Sequence, residues 1–331
     1  MARNHERQFC YQDVLSILAS SSLKEKVIYS VELLRKAERL ATAYDAENGY
    51  FLAFSGGKDS QCLYHIAKIA GVKFKAHMNL TSVDPPEVIR FVRDEYPDVE
   101  LIKPIDSIYS IARQKGSLPT RLYRWCCQAY KEGAGAGKVT LIGIRNSESR
   151  RRATRNEVEI TNRKFSGTFE ELAGYRVRRN RRKSKLAREI NISNVQDERV
   201  LGCIHGRESL LISPIIHWTE DDVWEFLNAL KLKHCELYDQ GWKRIGCIGC
   251  PEHPLNVTLK ENERWPHVMR NWIRVIEDIQ KKGRYNKEDF SLEELLLSEE
   301  ERRYIKAKNV YDWWISKISY EQWLKKKKAN G

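Results

Sequence analysis

Two groups of residues have the types and spacing to do chemistry. The first is Ser55-Gly56-Gly57-Lys58-Asp59-Ser60. Adjacent glycines let a backbone bend until its amides face a bound anion. Ser55 and Ser60 add hydroxyl donors, and Lys58 adds a positive charge. The string differs from the G-x-x-x-x-G-K-[ST] loop, because the glycines are adjacent and Asp follows Lys. Asp59 reads either as a ligand contact or as a helix cap. The second group is made of thiols, Cys126-Cys127 and Cys247-Ile248-Gly249-Cys250. A Cys-x-x-Cys pair points two thiolates at one metal, and the tandem pair raises the count to four. Such donor sets suit zinc or an iron–sulfur cluster, and spacing alone leaves both open. Cys235 is a spare ligand or a neighbour of that centre, while Cys10, Cys62 and Cys203 read as structural thiols.

Arginines form a further candidate set. Arg145 and Arg151 follow a predicted strand, where ligands sit in open α/β sheets. A guanidinium matches phosphate or sulfate oxygens with a fixed fork of donors. Arg150 and Arg152 flank Arg151, so a solvated cluster is the competing reading there. Asp84 reads as a ribose contact or as the residue that orders its own loop.

The elements that must position these groups follow from hydrophobic pattern. Tyr50–Phe54 is a short apolar run and predicts a buried strand ending at the glycines. A helix is expected from about Gln61 to Ala70, opened by Asp59 and Ser60. Lys73–Asn79, Val99–Ile102 and Lys138–Ile144 predict further strands, and Pro85–Glu95 a helix opened by Pro-Pro. Alternating strands and helices predict an α/β fold: an open parallel sheet with helices on both faces. Residues 23–44 carry a helical apolar stripe, and Trp218–Leu230 and the chain from Glu263 read as helical. The expected organisation is an N-terminal helical segment (1–48), a nucleotide-binding α/β domain (49–255) with a basic insertion at about 150–200, and an α-helical C-terminal region (256–331).

The chain has 331 residues and a formal charge of +13. A hydrophobic fraction of 41% with 9 Trp, 15 Tyr and 9 Phe excludes a disordered chain. No apolar run is long enough to span a membrane, and the first ten residues lack the apolar stretch of a secretory leader. A cytoplasmic protein with reduced thiols is therefore expected. Between Arg145 and Arg188, fifteen Lys/Arg face five acids, a net +10. That block suits DNA or RNA, or else a solvated, self-paired or protein-binding segment.

The Ser55–Ser60 string resembles the pyrophosphate loop (PP-loop) of the ATP pyrophosphatase, or adenine nucleotide alpha-hydrolase, superfamily. Thr81-Ser82-Val83-Asp84-Pro85-Pro86-Glu87, Gly143–Arg151, Pro214…Trp218…Asp222-Val223-Trp224 and Leu237-Tyr238-Asp239-Gln240-Gly241 resemble later motifs of the phosphoadenosine phosphosulfate (PAPS) reductase-like family. The resemblance implies ATP or an adenylyl nucleotide, with Mg2+, held by Ser55, Gly56, Gly57, Lys58, Asp59, Ser60, Asp84, Arg145 and Arg151. It gives Lys58 and Arg145 catalytic roles. It implies a [4Fe–4S] cluster on Cys126, Cys127, Cys247 and Cys250, as in iron–sulfur members that include DNA phosphorothioation sulfurtransferases. Sulfonucleotide reductases of the family carry a nucleophilic cysteine near the C-terminus, whereas the last cysteine in this sequence is Cys250. Sulfur transfer from ATP-activated chemistry, with a sulfur-donor or reductant protein, is therefore the expected activity. Alternatives are reduction of an adenylyl sulfate by an external thiol, and a non-catalytic subunit that binds nucleotide or nucleic acid.

Overall fold

Tyr50 and Leu52 point to one face of a strand, Phe51 to the other, and all three are buried. A strand buried on both sides lies inside a sheet covered on both faces. In the computed structural model, which describes residues 9–161, 165–173, 208–285 and 296–330, this strand is β1 (Tyr50–Ala53). The other strands are β2 (Phe74–Asn79), β3 (Glu100–Ile102), β4 (Val139–Leu141), β5 (Val158–Ile160), β6 (Phe165–Gly167) and β7 (Leu210–Ile212). They form one seven-stranded sheet in the order β3-β2-β1-β4-β7-β5-β6.

The first five strands of that order run parallel. At the far edge β5 runs the opposite way and pairs antiparallel with both β6 and β7. An all-parallel sheet was expected, and this edge departs from it for a physical reason. Only four residues separate β5 from β6, enough for a hairpin but far too few for a parallel crossover.

The chain divides into two units. The sheet unit comprises residues 1–79, 86–102 and 133–245, so the N-terminal helices belong to it. Its helices are α1 (Tyr11–Ile17), α2 (Leu23–Tyr44), α3 (Lys58–Ala70), α4 (Pro86–Glu95), α7 (Phe169–Ala173) and α8 (Glu220–Ala229). The stripe of α2 buries Val27, Val31, Leu34, Ala37 and Ala41, and α2 packs on α3. The helical unit comprises residues 80–85, 103–132 and 246–331. It holds α5 (Ile108–Lys115), α6 (Trp125–Tyr130), α9 (Leu255–Arg264), α10 (Pro266–Gln280), α11 (Glu299–Ser316) and α12 (Tyr320–Asn330). Tyr109, Trp272, Tyr311 and Trp314 stack edge to face or tilted at its centre. Among the described residues no helix is long and apolar enough to cross a membrane.

Candidate functional site

The glycine loop sits where β1 ends and α3 begins. Gly56 has φ +72°, and a Cβ there would lie 2.6 Å from Val88 Cγ1 and 2.9 Å from Val92 Cγ2 on α4. Only glycine fits both that backbone and that space. Gly57, with φ −81°, is the N-cap of α3, and the helix starts at Lys58, three residues before the expected Gln61. Its cap position is why: Gly57 O accepts from Gln61 N at 3.0 Å, closing the first turn.

Side chains then brace the loop. Ser60 Oγ donates to Gly57 O at 2.8 Å and accepts from Ser55 N at 3.2 Å, with Ser55 Oγ 3.1 Å away. Lys58 is only 3% exposed. Its ammonium donates to Lys243 O at 3.1 Å, lies 3.5 Å from Glu220, and sits over the Tyr238 ring. Its backbone N–H donates to Tyr238 Oη at 2.9 Å. Burial raises the Tyr238 phenol well above its ordinary range, so the hydroxyl stays protonated. An N-terminal helix amide, the type of group that binds anions, thus carries a tyrosine oxygen.

Arg145 is also buried. Its Nε donates to Asp59 and its Nη1 to Ser147 Oγ at 3.0 Å. Asp59 therefore holds an arginine as well as opening the helix. Gly143 permits this approach, since a Cβ there would stand 3.0 Å from Asp59 O. Arg151 is exposed, and the structure shows no side-chain partner for it among the described residues. Arg152 and Arg155 pair with Glu148 and Glu159. The rest of the basic block, Arg163, Lys164 and Arg176 to Arg188, lies outside the described residues, as does Cys203.

The thiols gather in the helical unit. Cys126 and Cys127 are on α6, and their side chains hydrogen-bond to each other. That bond pulls the Cys127 thiol down to about 6, aided by Lys131 and Arg124, and pushes Cys126 up. Cys247 and Cys250 lie in a turn whose Gly249 has φ +70° and donates its N–H to Glu261 Oε2 at 2.9 Å. Glu261 also meets His253 Nδ1 at 2.8 Å, and Ile248 N donates to Val83 O at 2.8 Å. Burial raises Cys250 to about 11. Lys131, an exposed lysine, donates to Cys247 Sγ at 3.4 Å, and Cys247 above all raises its pKa. Asp84 accepts from Thr81 N at 2.6 Å and Thr81 Oγ1 at 2.9 Å, so it orders its own loop.

Cys126, Cys127, Cys247 and Cys250, from two segments, are free thiols of the soft donor type that a thiophilic centre uses. As placed, no group of three or more His, Cys, Asp or Glu side chains among the described residues is arranged around a metal ion. Cys235 belongs to the sheet unit and is buried. Cys62 is a core thiol on α3, and Cys10 caps α1 by accepting from Asp13 N.

Three residues of this geometry escape sequence reading: Tyr238, Lys131 and Glu261. Tyr238 lay within a quoted motif but had no role. Lys131, four residues after Cys127, is the one with a local signal, because a cation beside thiolates stabilises them.

A parallel sheet whose central strand enters a glycine turn, a helix N-terminus and a buried lysine defines a nucleotide-binding α/β protein. Residues 49–253 match the phosphoadenosine phosphosulfate reductase domain, and the chain belongs to that family. An uncharacterized protein of Methanocaldococcus jannaschii is 24% identical over 243 residues, 70% of this chain and 42% of that protein. A second from the same organism is 25% identical, covering 68% and 46%. The chain thus spans less than half the length of these relatives. Adenosine 5'-phosphosulfate reductase of Oceanobacillus iheyensis is 40% identical over 58 residues, 18% of this chain and 24% of the enzyme. Among solved structures, Candida glabrata FMN adenylyltransferase with FAD and inorganic pyrophosphate aligns with TM-score 0.44 and 14% identity, covering 72% of this chain and 69% of that one. PAPS reductase from Candida auris aligns with TM-score 0.37 and 16% identity, covering 72% and 93%. Family membership supports adenine-nucleotide binding and a place among nucleotide-utilising enzymes, without specifying the reaction.

Proposed function

We propose that this protein is a cytoplasmic ATP-dependent sulfurtransferase that activates its acceptor by adenylation. The observation that carries the reading is the braced Ser55–Ser60 loop, with buried Lys58 at the N-terminus of α3. The loop amides and Lys58 hold the phosphates of ATP, accompanied by Mg2+. An acceptor oxygen attacks the α-phosphorus, the new P–O bond forms, and pyrophosphate leaves with the bonding pair. Lys58 offsets the charge on the leaving group, and Arg145, held in place by Asp59, faces the nucleotide. A persulfide of a donor protein then attacks the activated atom, and AMP leaves with the acceptor oxygen. A reductant thiol cleaves the resulting S–S bond, leaving sulfur on the acceptor and a disulfide between donor and reductant. Cys126, Cys127, Cys247 and Cys250 would hold a [4Fe–4S] cluster, which supplies redox and sulfide chemistry when bound. Lys131 donates to Cys247 Sγ and would offset the charge of a cluster-bound thiolate there. We take the acceptor to be a nucleic acid, on the strength of the +10 block between Arg145 and Arg188.

The test is anaerobic purification, iron and sulfide analysis, and incubation with ATP. Pyrophosphate released on addition of nucleic acid supports the reading. Sulfite released from an adenylyl sulfate and added thiol, with no pyrophosphate from ATP, replaces it with a reductase. Tight nucleotide binding without either product replaces it with a non-catalytic subunit.

A further inference from the structure

Beyond the residues matched by the family, α10 and α11 enclose an open cleft of about 390 Å³. Arg270, Arg274 and Lys281 line it from α10 and its C-terminal end, and Arg303 and Tyr304 from α11, with Ile273 in the lining and buried. Glu277 and Glu300 complete the lining, so cations outnumber carboxylates four to two. Positions 270, 274 and 281 share one helix face, since steps of four and eleven residues return close to the same angle. Arg303 pairs with Glu299 at 3.0 Å and Lys281 with Asp278 at 3.1 Å. Among the described residues Arg270 and Arg274 have no such partner, and both are exposed.

We infer that this cleft binds the phosphodiester backbone of a single-stranded nucleic acid. Arg270 and Arg274 are one turn apart, about 6 Å along the helix, a separation that lets two guanidinium forks reach successive phosphates. Guanidiniums suit that role better than ammoniums because their paired donors match two phosphate oxygens. Tyr304 is 44% exposed beside them and offers a ring on which a base stacks. Glu277 and Glu300 lower the net charge of the cleft, and Glu299 and Asp278 hold Arg303 and Lys281, which favours a chain of single charges over a compact polyphosphate. In its choice of ligand the inference rests on the nucleic-acid acceptor proposed above. Its residues are separate from the phosphate loop, so the two ideas fail separately.

The experiment is fluorescence anisotropy on the full chain with labelled single-stranded DNA and RNA, at several salt concentrations. Each neutralised phosphate on a single strand contributes a slope of about −0.7 in log K against log salt. Arg270→Ala with Arg274→Ala is expected to flatten the slope by about 1.4 while leaving ATP affinity unchanged. Tyr304→Ala is expected to weaken binding at least about fivefold with the slope unaltered. Unchanged slope and affinity in the arginine double variant would overturn the inference. Displacement of the oligonucleotide by stoichiometric inorganic tripolyphosphate would also overturn it, marking a small-anion site. An acidic peptide that binds through the same arginines when neither nucleic acid does would assign the cleft to a protein partner instead. Loss of ATP binding in wild-type protein, with oligonucleotide binding intact, would instead count against the phosphate-loop reading alone.

Discussion

In the sheet unit, six consecutive residues make the candidate anion loop, and hydrogen bonds among Ser55, Gly57 and Ser60 already set its shape. In the helical unit, four thiols come from segments about 120 residues apart in sequence, and a glycine turn with Lys131 and Glu261 supports them. In the proposed phosphate site the binding element is local backbone. In the proposed thiol centre it would be side chains brought together by tertiary packing. Backbone sites tolerate side-chain change and fail when a glycine is lost; side-chain sites behave the other way.

The largest effect expected from that contrast is at the thiols. Cys247→Ser or Cys250→Ser should lose nearly all bound iron and sulfide, whereas Cys10→Ser, at an exposed helix cap, should keep both. Iron and acid-labile sulfide analysis after anaerobic purification reads this directly. Stoichiometric zinc without iron in the unmodified chain would sink the cluster and leave a structural tetrathiolate.

Next come two neighbouring glycines with opposite outcomes. Gly56→Ala should destabilise the sheet unit by about 1–3 kcal/mol, since a Cβ meets Val88 and Val92 at a backbone angle side chains avoid. Gly57→Val should unfold at nearly the unmodified denaturant midpoint, because a Cβ there meets only Ser55 Oγ and Tyr238 Oη, each at 3.5 Å. It should nevertheless lose nucleotide binding in calorimetric titration, as its side chain would cover the loop amides. Equal stability losses in both variants would break the comparison.

Much of the sheet unit was legible because its signals are local. Tyr50–Phe54 read as a strand from apolar run length, and the structure places β1 there. The helical stripe over residues 23–44 matches α2. The antiparallel edge was not legible: Val158-Glu159-Ile160 and Phe165-Ser166-Gly167 are too short to show a period and lie within a basic stretch. Among site residues, Ser55 to Ser60 are contiguous in the structure as in the sequence. Arg145 comes to Asp59 through a sheet crossover that spacing hints at but does not fix. Tyr238 is 180 residues from Lys58, and no local pattern links them. Glu261 acts on Gly249 from α9 for the same reason.

A smaller effect separates packing from ligand chemistry within the sheet unit. His65, on α3, sits against Tyr64 and Tyr96, and burial, with Lys68 nearby, pushes its pKa down to about 3. The unfolded chain takes up that proton near 6.5, the folded chain only near 3. Stability from this group is therefore complete above about pH 6.5 and falls as pH drops toward 3. Asp45, lowered to about 2 chiefly by its hydrogen bond from Lys138, acts in a lower window, below its usual 3.8. Urea unfolding should show a fall of about 1–2 kcal/mol between pH 6.5 and 5. His65→Gln should flatten that window and leave the lower one intact; an unchanged slope would show that the ring titrates normally.

The finest test concerns Tyr238, a side chain that reaches the anion loop from far along the sequence. Tyr238 Oη accepts the Lys58 N–H that a phosphate oxygen would use. Its neighbours make it a poor general base: burial keeps the phenol protonated, and Trp224 and His234 pack edge-on against the ring. The hydroxyl therefore competes with phosphate for one donor, and nucleotide must displace it. A hydrogen bond of this type contributes about 0.5–1.5 kcal/mol net. Tyr238→Phe should remove the competition while keeping the ring that packs beneath the Lys58 ammonium. ATP affinity should then rise by about two- to tenfold, with the denaturant midpoint lowered slightly because a helix amide has lost its acceptor. Weaker ATP binding in the phenylalanine variant would reverse the assignment, making the hydroxyl a donor to phosphate. The loop would then be completed by a side chain, and the contrast with the thiol centre would shrink to one of degree.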